Sequence, residues 1–214
     1  MAAIRNGSNS ESNDRFGFNE LLDIDAIEEV LEVKIEYAPQ PKYNYLNDGT
    51  SFDAFVLYRH KDGSIGGIGI EVKYTEREYK IGKTEYSNTH DDYGNVRLSE
   101  HYERTTRKSG YYIPNSEMKL ISDMLRQIWR NHILGVSMVQ NGDIGHFCSV
   151  TVFPKANPHF HTASEEYRKV LTPSGNATFY TFTYEKMFET LKQHFHKEEH
   201  RNWINYLYNR YLFD

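Results

Sequence analysis

The sequence predicts a single α/β domain with a mixed central sheet flanked by helices, and three observations carry that expectation. The segment GIGIEVKY at residues 67–74 is apolar on both sides of its polar pair, the pattern of a central strand buried on both faces. A second strand-like run occupies residues 51–58, and the Asp62-Gly63 pair between the two is a strong hairpin signal. Around this hairpin the order reads helix, strand meander, helix, strands, helices, without an internal repeat or a domain linker.

The elements follow in order. Residues 1–14 are polar and rich in Ser and Asn, which predicts a disordered tail ahead of one domain over residues 15–214. Residues 16–33 have a helical pattern, with Phe18, Leu21, Leu22, Ile27, Val30 and Leu31 on one broad face and a break near Asp23 and Asp25. Residues 33–37 alternate like a short strand, and APQPKYNYLNDGT after them is turn-rich. Residues 75–109 are polar and aperiodic, with Arg97, Arg104, Arg107 and Lys108 gathered toward the end; a long loop in a small domain is usually functional or mobile. Ser116 is placed to cap a helix over residues 117–134, with Met118, Ile121, Leu125, Ile128, Trp129 and His132 near one face. Strands are expected at residues 146–153, where Pro154 breaks the run, and at 177–184. Residues 185–211 read as helical and heavily aromatic.

Composition limits the function classes. A chain of 214 residues, 38% hydrophobic and 26% charged, matches a soluble globular domain rather than a disordered or membrane protein. No apolar run is long enough to cross a bilayer, and the polar N-terminus does not read as a signal peptide. The single cysteine, Cys148, excludes an internal disulfide framework and fits a reducing, cytoplasmic setting. The formal charge of −5 opposes a broad coat of phosphate contacts, so nucleic-acid binding would require a local basic surface together with metal ions.

The chemistry concentrates in SFDAFVLYRHKDGSIGGIGIEVKYTE. Strand alternation puts Glu71 and Lys73 on one face, with Val72 turned to the other. The hairpin can bring Asp53 beside Glu71. Two carboxylates and an ammonium within apolar strands are costly unless paired or bound to a metal, and a hard divalent cation removes the repulsion between the acids. Mg²⁺ favours one or two carboxylates plus waters and phosphate, and the Val72 backbone carbonyl can add another oxygen ligand. Lys73 would orient the attacking water or help to deprotonate it, and would steady charge on the phosphate. The competing reading is a cross-strand salt bridge on an exposed sheet face.

Asp53, a hairpin and then Glu71-x-Lys73 in an apolar strand resemble the PD-(D/E)xK nuclease superfamily, with its restriction-endonuclease-like fold. The segments FNELLD, KIEYAP, NDGTSFDAF and IEVKYTE are similar to a bacterial, restriction-endonuclease-like branch, and the resemblance spans about residues 33–134. It departs from the named motif at Phe52, where a proline would stand, a position often not proline in the superfamily. The resemblance implies a Mg²⁺-dependent nuclease, with Mn²⁺ as substitute, hydrolysing phosphodiester bonds of nucleic acid, DNA foremost, as a restriction-like endonuclease. It also implies a role for Gln127, because many members carry a glutamine on the following helix near the site. A catalytically inactive nuclease fold kept for nucleic-acid binding or assembly is the alternative, and the intact Asp–Glu–Lys set argues against it.

Further candidates surround this core. Glu36 is a candidate third acid and metal ligand, or an exposed strand carboxylate; Glu20 suits a solvated helix face better than the site. Arg104, Arg107 and Lys108 are candidate substrate-binding residues. Arg126 and Arg130, at i and i+4, form a stripe more readily solvated than phosphate-facing. His159 and His161, with His194, His196 and His200, have only weak zinc-ligand spacing. The aromatics of residues 203–213 can stack bases but suit a docking surface better. A homodimer stays open.

Overall fold

The Asp62-Gly63 turn folds two strands into the predicted hairpin. The computed structural model describes residues 26–75 and 81–212. Its elements run β1 (Ile27–Tyr37), β2 (Phe52–His60), β3 (Ile65–Val72), α1 (Lys83–Thr89), α2 (Glu100–Thr106), α3 (Glu117–Leu120), α4 (Arg126–Asn141), β4 (His146–Phe153), α5 (Pro158–Arg168), α6 (Pro173–Asn176), β5 (Phe179–Thr183), α7 (Tyr184–His194) and α8 (Glu198–Tyr211). The strands form one sheet in the order β1-β2-β3-β4-β5, antiparallel for the first two pairings and parallel for the last two. This is a single α/β domain with a mixed sheet. Phe52, Phe55 and Phe147 pack on one face against Trp129 and Ile133 of α4 and Phe160 and Tyr167 of α5. Val56, Ile68, Val150 and Val152 pack on the other against Phe188 and Leu191 of α7 and Ile204 of α8.

Strand β3 is Gly-rich because aromatic rings of β2 lie across it. A Cβ on Gly69 would stand 2.3 Å from Phe52 Cε1, and one on Gly66 would stand 2.1 Å from Tyr58 Cζ. Phe52 is fully buried and has nowhere to go. Gly69→Ala is therefore expected to cost about 1–3 kcal/mol through overpacking, measurable by urea denaturation; a variant as stable as wild type would contradict this packing.

Several elements differ from the sequence-based expectations. Residues 27–33, expected as helix, belong to β1; residues 16–25, Glu20 and the 1–14 tail lie outside the described residues. Register shifts between Ile27 and Glu29 and between Val30 and Glu32 break the two-residue alternation, so the apolar spacing of this strand imitates a helix. The aperiodic 75–109 segment contains α1 and α2, each seven residues long and too short to display a clear period. The helix expected over 117–134 splits. Ser116 precedes only the four-residue α3 and makes no side-chain cap, while α4 starts at Arg126 and continues to Asn141, ended by Gly142 at φ 84°. The last strand covers only Phe179–Thr183, because residues 173–176 turn as α6. His159 and His161 lie on α5, where a spacing of two turns them to different sides. In α8, Ile204, Leu207 and Tyr208 dock on the core, whereas Trp203 and Tyr206 are 46% and 57% exposed.

Candidate active site

The site begins where the hairpin comes apart. The β2–β3 ladder reaches Ala54 opposite Ile70, and the next amide of β3, that of Val72, donates to the Asp53 side chain instead (Oδ2, 2.7 Å). On its other edge β3 stays paired with β4, through Glu71 opposite Thr151 and the Lys73 amide donating to the Val152 carbonyl at 2.8 Å. Asp53 therefore sits in the fork between splaying strands. Within a strand, N–H and C=O of one residue point to the same edge, so the Val72 carbonyl also points toward the Asp53 side.

Glu71 and Lys73 form an ion pair, with side chains only 13% and 5% exposed. The competing reading expected a salt bridge on an exposed sheet face; the salt bridge is present but buried, and buried charges of this kind cost several kcal/mol unless matched. A third group completes the match: the Asn131 amide of α4 hydrogen-bonds to Glu71. Burial raises the Glu71 pKa and the field of Asp53 raises it further, while Lys73 and Asn131 oppose the shift. The folded pKa thus lies above the unfolded one. Without metal, this carboxylate subtracts stability above its folded pKa, and the penalty vanishes as pH falls below the unfolded value.

The helix that presents Asn131 is fixed by a buried charge network. Arg126 Nε meets Glu85 Oε1 at 2.9 Å, and Arg130 Nη1 meets Glu85 Oε2 at 3.1 Å. Arg130 Nη2 also donates to Thr50 Oγ1 at 2.7 Å, and Tyr102 Oη donates to Asp48 Oδ2 at 2.5 Å. The Arg126–Arg130 stripe is accordingly neither solvated nor phosphate-facing; it ties α4 to α1 and to the approach of β2.

The remaining candidates are spread more widely. Gln127 is half-buried in the first turn of α4, one turn before Asn131. Glu36 falls opposite Asp53 in the β1–β2 register, between the Ile35–Ala54 and Tyr37–Phe52 pairs, but is exposed with a left-handed backbone (φ 50°). Arg104 donates to the Asn44 carbonyl at 2.9 Å, Arg107 pairs with Glu117 at 2.6 Å, and Lys108 is exposed. Sequence reasoning missed Asn131; its one signal was a position one turn beyond Gln127. At the C-terminal ends of β3 and β4 a cavity of about 650 Å³ opens, lined by Tyr74, Pro154, Asn157, His159, Glu185 and Tyr211 among others.

Two carboxylates, a backbone carbonyl and a lysine meet in a strand fork, backed by a mixed α/β sheet. A family model of the PD-(D/E)XK nuclease superfamily matches residues 9–213, and the chain belongs to that superfamily. Membership suggests a nuclease that hydrolyses phosphodiester bonds of nucleic acid, and such nucleases generally use divalent metals. Neither the curated proteins nor the solved structures yield a match. Among the described residues no helix is long and apolar enough to cross a membrane.

Proposed function

We propose that the protein is a Mg²⁺-dependent endonuclease acting on DNA, with Asp53, Glu71, the Val72 carbonyl and Lys73 at its centre. The observation that carries this reading is the pair of acids in the strand fork. Asp53 raises the proton affinity of Glu71, so the two carboxylates repel, and the Val72 amide engages Asp53 through Oδ2 alone. Hard oxygen donors under mutual repulsion suit Mg²⁺ or Mn²⁺. A bound ion would supply Lewis acidity and a more acidic water.

The chain's own residues do the rest. Lys73 holds a positive charge in a nearly dry setting, where it stabilises phosphate charge more strongly than it would in water. Asn131 orients Glu71 through its amide. Gln127, one turn away, is assigned a role at the substrate side of the same helix, and Glu36 is kept as a further acid reachable by a turn of its side chain. The test is plasmid nicking by the wild type with Mg²⁺ or Mn²⁺, abolished by EDTA. A protein that binds DNA but cuts neither DNA nor RNA with any divalent ion would instead be an inactive binding module.

Lys108 supplies exposed positive charge proposed to meet the phosphate backbone, and Arg107 can join it by exchanging the Glu117 and Glu103 carboxylates for phosphate; Arg104 belongs to that surface but also braces residues 44–45. Replacing Arg107 and Lys108 by Ala should reduce the slope of log K against log salt by about one unit for each phosphate that the variant no longer neutralises. An unchanged slope in a DNA-binding titration would show that this surface does not meet the backbone.

A further inference from the structure

At the far end of the same hairpin, three side chains converge that the nuclease centre does not use. His60 closes β2, Asp62 lies in the turn, and His146 opens β4. His60 Nδ1 lies 2.9 Å from Asp62 Oδ1, and His146 Nε2 lies 2.9 Å from Asp62 Oδ2. The two imidazoles stack with centroids 3.9 Å apart. All three ligand atoms fall within 4.8 Å of one another, and among the described residues no other group of three metal-ligating side chains does so. The seven residues from Asp53 to His60 place this cluster roughly 20–25 Å from the acids along the strand.

We propose that His60, Asp62 and His146 bind a divalent transition-metal ion, Zn²⁺ foremost, which fastens the hairpin turn to the start of β4. Imidazole nitrogens with one carboxylate oxygen are ligands for zinc-type ions rather than for Mg²⁺. The arrangement also contains a conflict that a cation resolves. His60 Nδ1 faces Asp62 Oδ1 and, at 3.2 Å, the Asp62 backbone N–H; one ring nitrogen cannot donate to the first and accept from the second. With the ring proton on Nε2, as the Asp62 N–H contact requires, the Nδ1 lone pair and a carboxylate oxygen confront each other, and a cation between them turns this repulsion into attraction.

The carboxylate is held ready. Asp62 Oδ1 accepts from the Ser64 amide at 2.9 Å and the Ser64 hydroxyl at 2.6 Å, fixing its plane, while Oδ2 faces His146. Metal–ligand bonds of about 2.0–2.2 Å require donors spaced near 3.3 Å, so the present 2.9 Å contacts need to open by a few tenths of an ångström. The side chains of Asp62 and His146 are about half exposed, which permits that movement and leaves a fourth position to water. An ion here joins residues 62 and 146, so it closes a loop of 84 residues.

The test uses the full chain carrying Asp53→Asn, which disables the acidic site, titrated with Co²⁺ as a spectroscopic probe and with Zn²⁺. One equivalent of Co²⁺ with visible d–d absorption is expected. His146→Ala should remove that absorption, and Asp62→Asn, which retains the hydrogen bonds from Ser64, should weaken binding at least tenfold. Replacing both His194 and His196 by Ala should leave it unchanged. Hundredfold excess of Zn²⁺ over its Kd should raise the melting midpoint by on the order of 5–10 °C, and His146→Ala should abolish the rise. His146 is half exposed, so that variant should fold, which melting in EDTA checks. Absence of Co²⁺ binding, or binding equal in His146→Ala and the parent, would overturn the proposal and leave a hydrogen-bonded turn.

Discussion

Asp53→Asn is expected to lower metal-dependent cleavage by about three orders of magnitude, the several kcal/mol that a metal ion contributes at a phosphoryl centre. Asparagine keeps an oxygen for the Val72 amide, so the strand fork should survive the change. The loss should therefore reflect ligand charge rather than structure. In EDTA the same variant is expected to be more stable than wild type by on the order of 1 kcal/mol, because the field that opposes ionisation of Glu71 is gone. Plasmid nicking and urea denaturation together check both halves. Full activity in a folded Asp53→Asn variant would remove this residue from the centre.

Glu71→Gln should have the opposite effect on stability, although it too removes a carboxylate. Lys73 is buried against Glu71, and the substitution leaves a dry ammonium one anionic partner poorer. A hydrogen bond between charged groups is worth about 1.5–3 kcal/mol, more than the gain from relieving the Asp53 field, so a net loss of about 2 kcal/mol is expected. That is a large fraction of the roughly 5–15 kcal/mol usual for a domain. Lys73→Met should lose a similar amount, and the double variant should recover much of it, since the Gln–Met pair buries no charge. Additive losses in a urea-denaturation double-mutant cycle would show that the two side chains are not coupled.

What was legible in the sequence follows from how local each signal is. The hairpin needed only Asp62-Gly63 and two apolar runs, and the parity of Glu71 and Lys73 is fixed by one strand alone. β4 was legible for the same reason, being an apolar run with Pro154 as its stop. β1 was not, because its two register shifts are visible only beside β2, and without them Ile27, Val30 and Leu31 imitate a helix face. α1 and α2 hide in a polar stretch because each is short and its partners lie far along the chain: Glu85 of α1 meets Arg126 and Arg130 of α4. Those arginines read as a surface stripe because their partners Glu85 and Asp48 are distant in sequence. Asn131 and the His60–Asp62–His146 cluster are likewise products of tertiary placement; apart from the position of Asn131 one turn beyond Gln127, nothing in the local segments announces them.

Whether Asp53 and Glu71 share a divalent ion in the strand fork decides the rest. The most direct measurement is an anomalous difference map from a crystal soaked with Mn²⁺ at neutral pH. The predicted result is a peak within coordination distance of Asp53, Glu71 and the Val72 carbonyl, with Lys73 still in its buried position, and no peak there in Asp53→Asn. Density confined to the surface, with the Glu71–Lys73 pair intact and the fork without an anomalous signal, would contradict a shared metal at these acids.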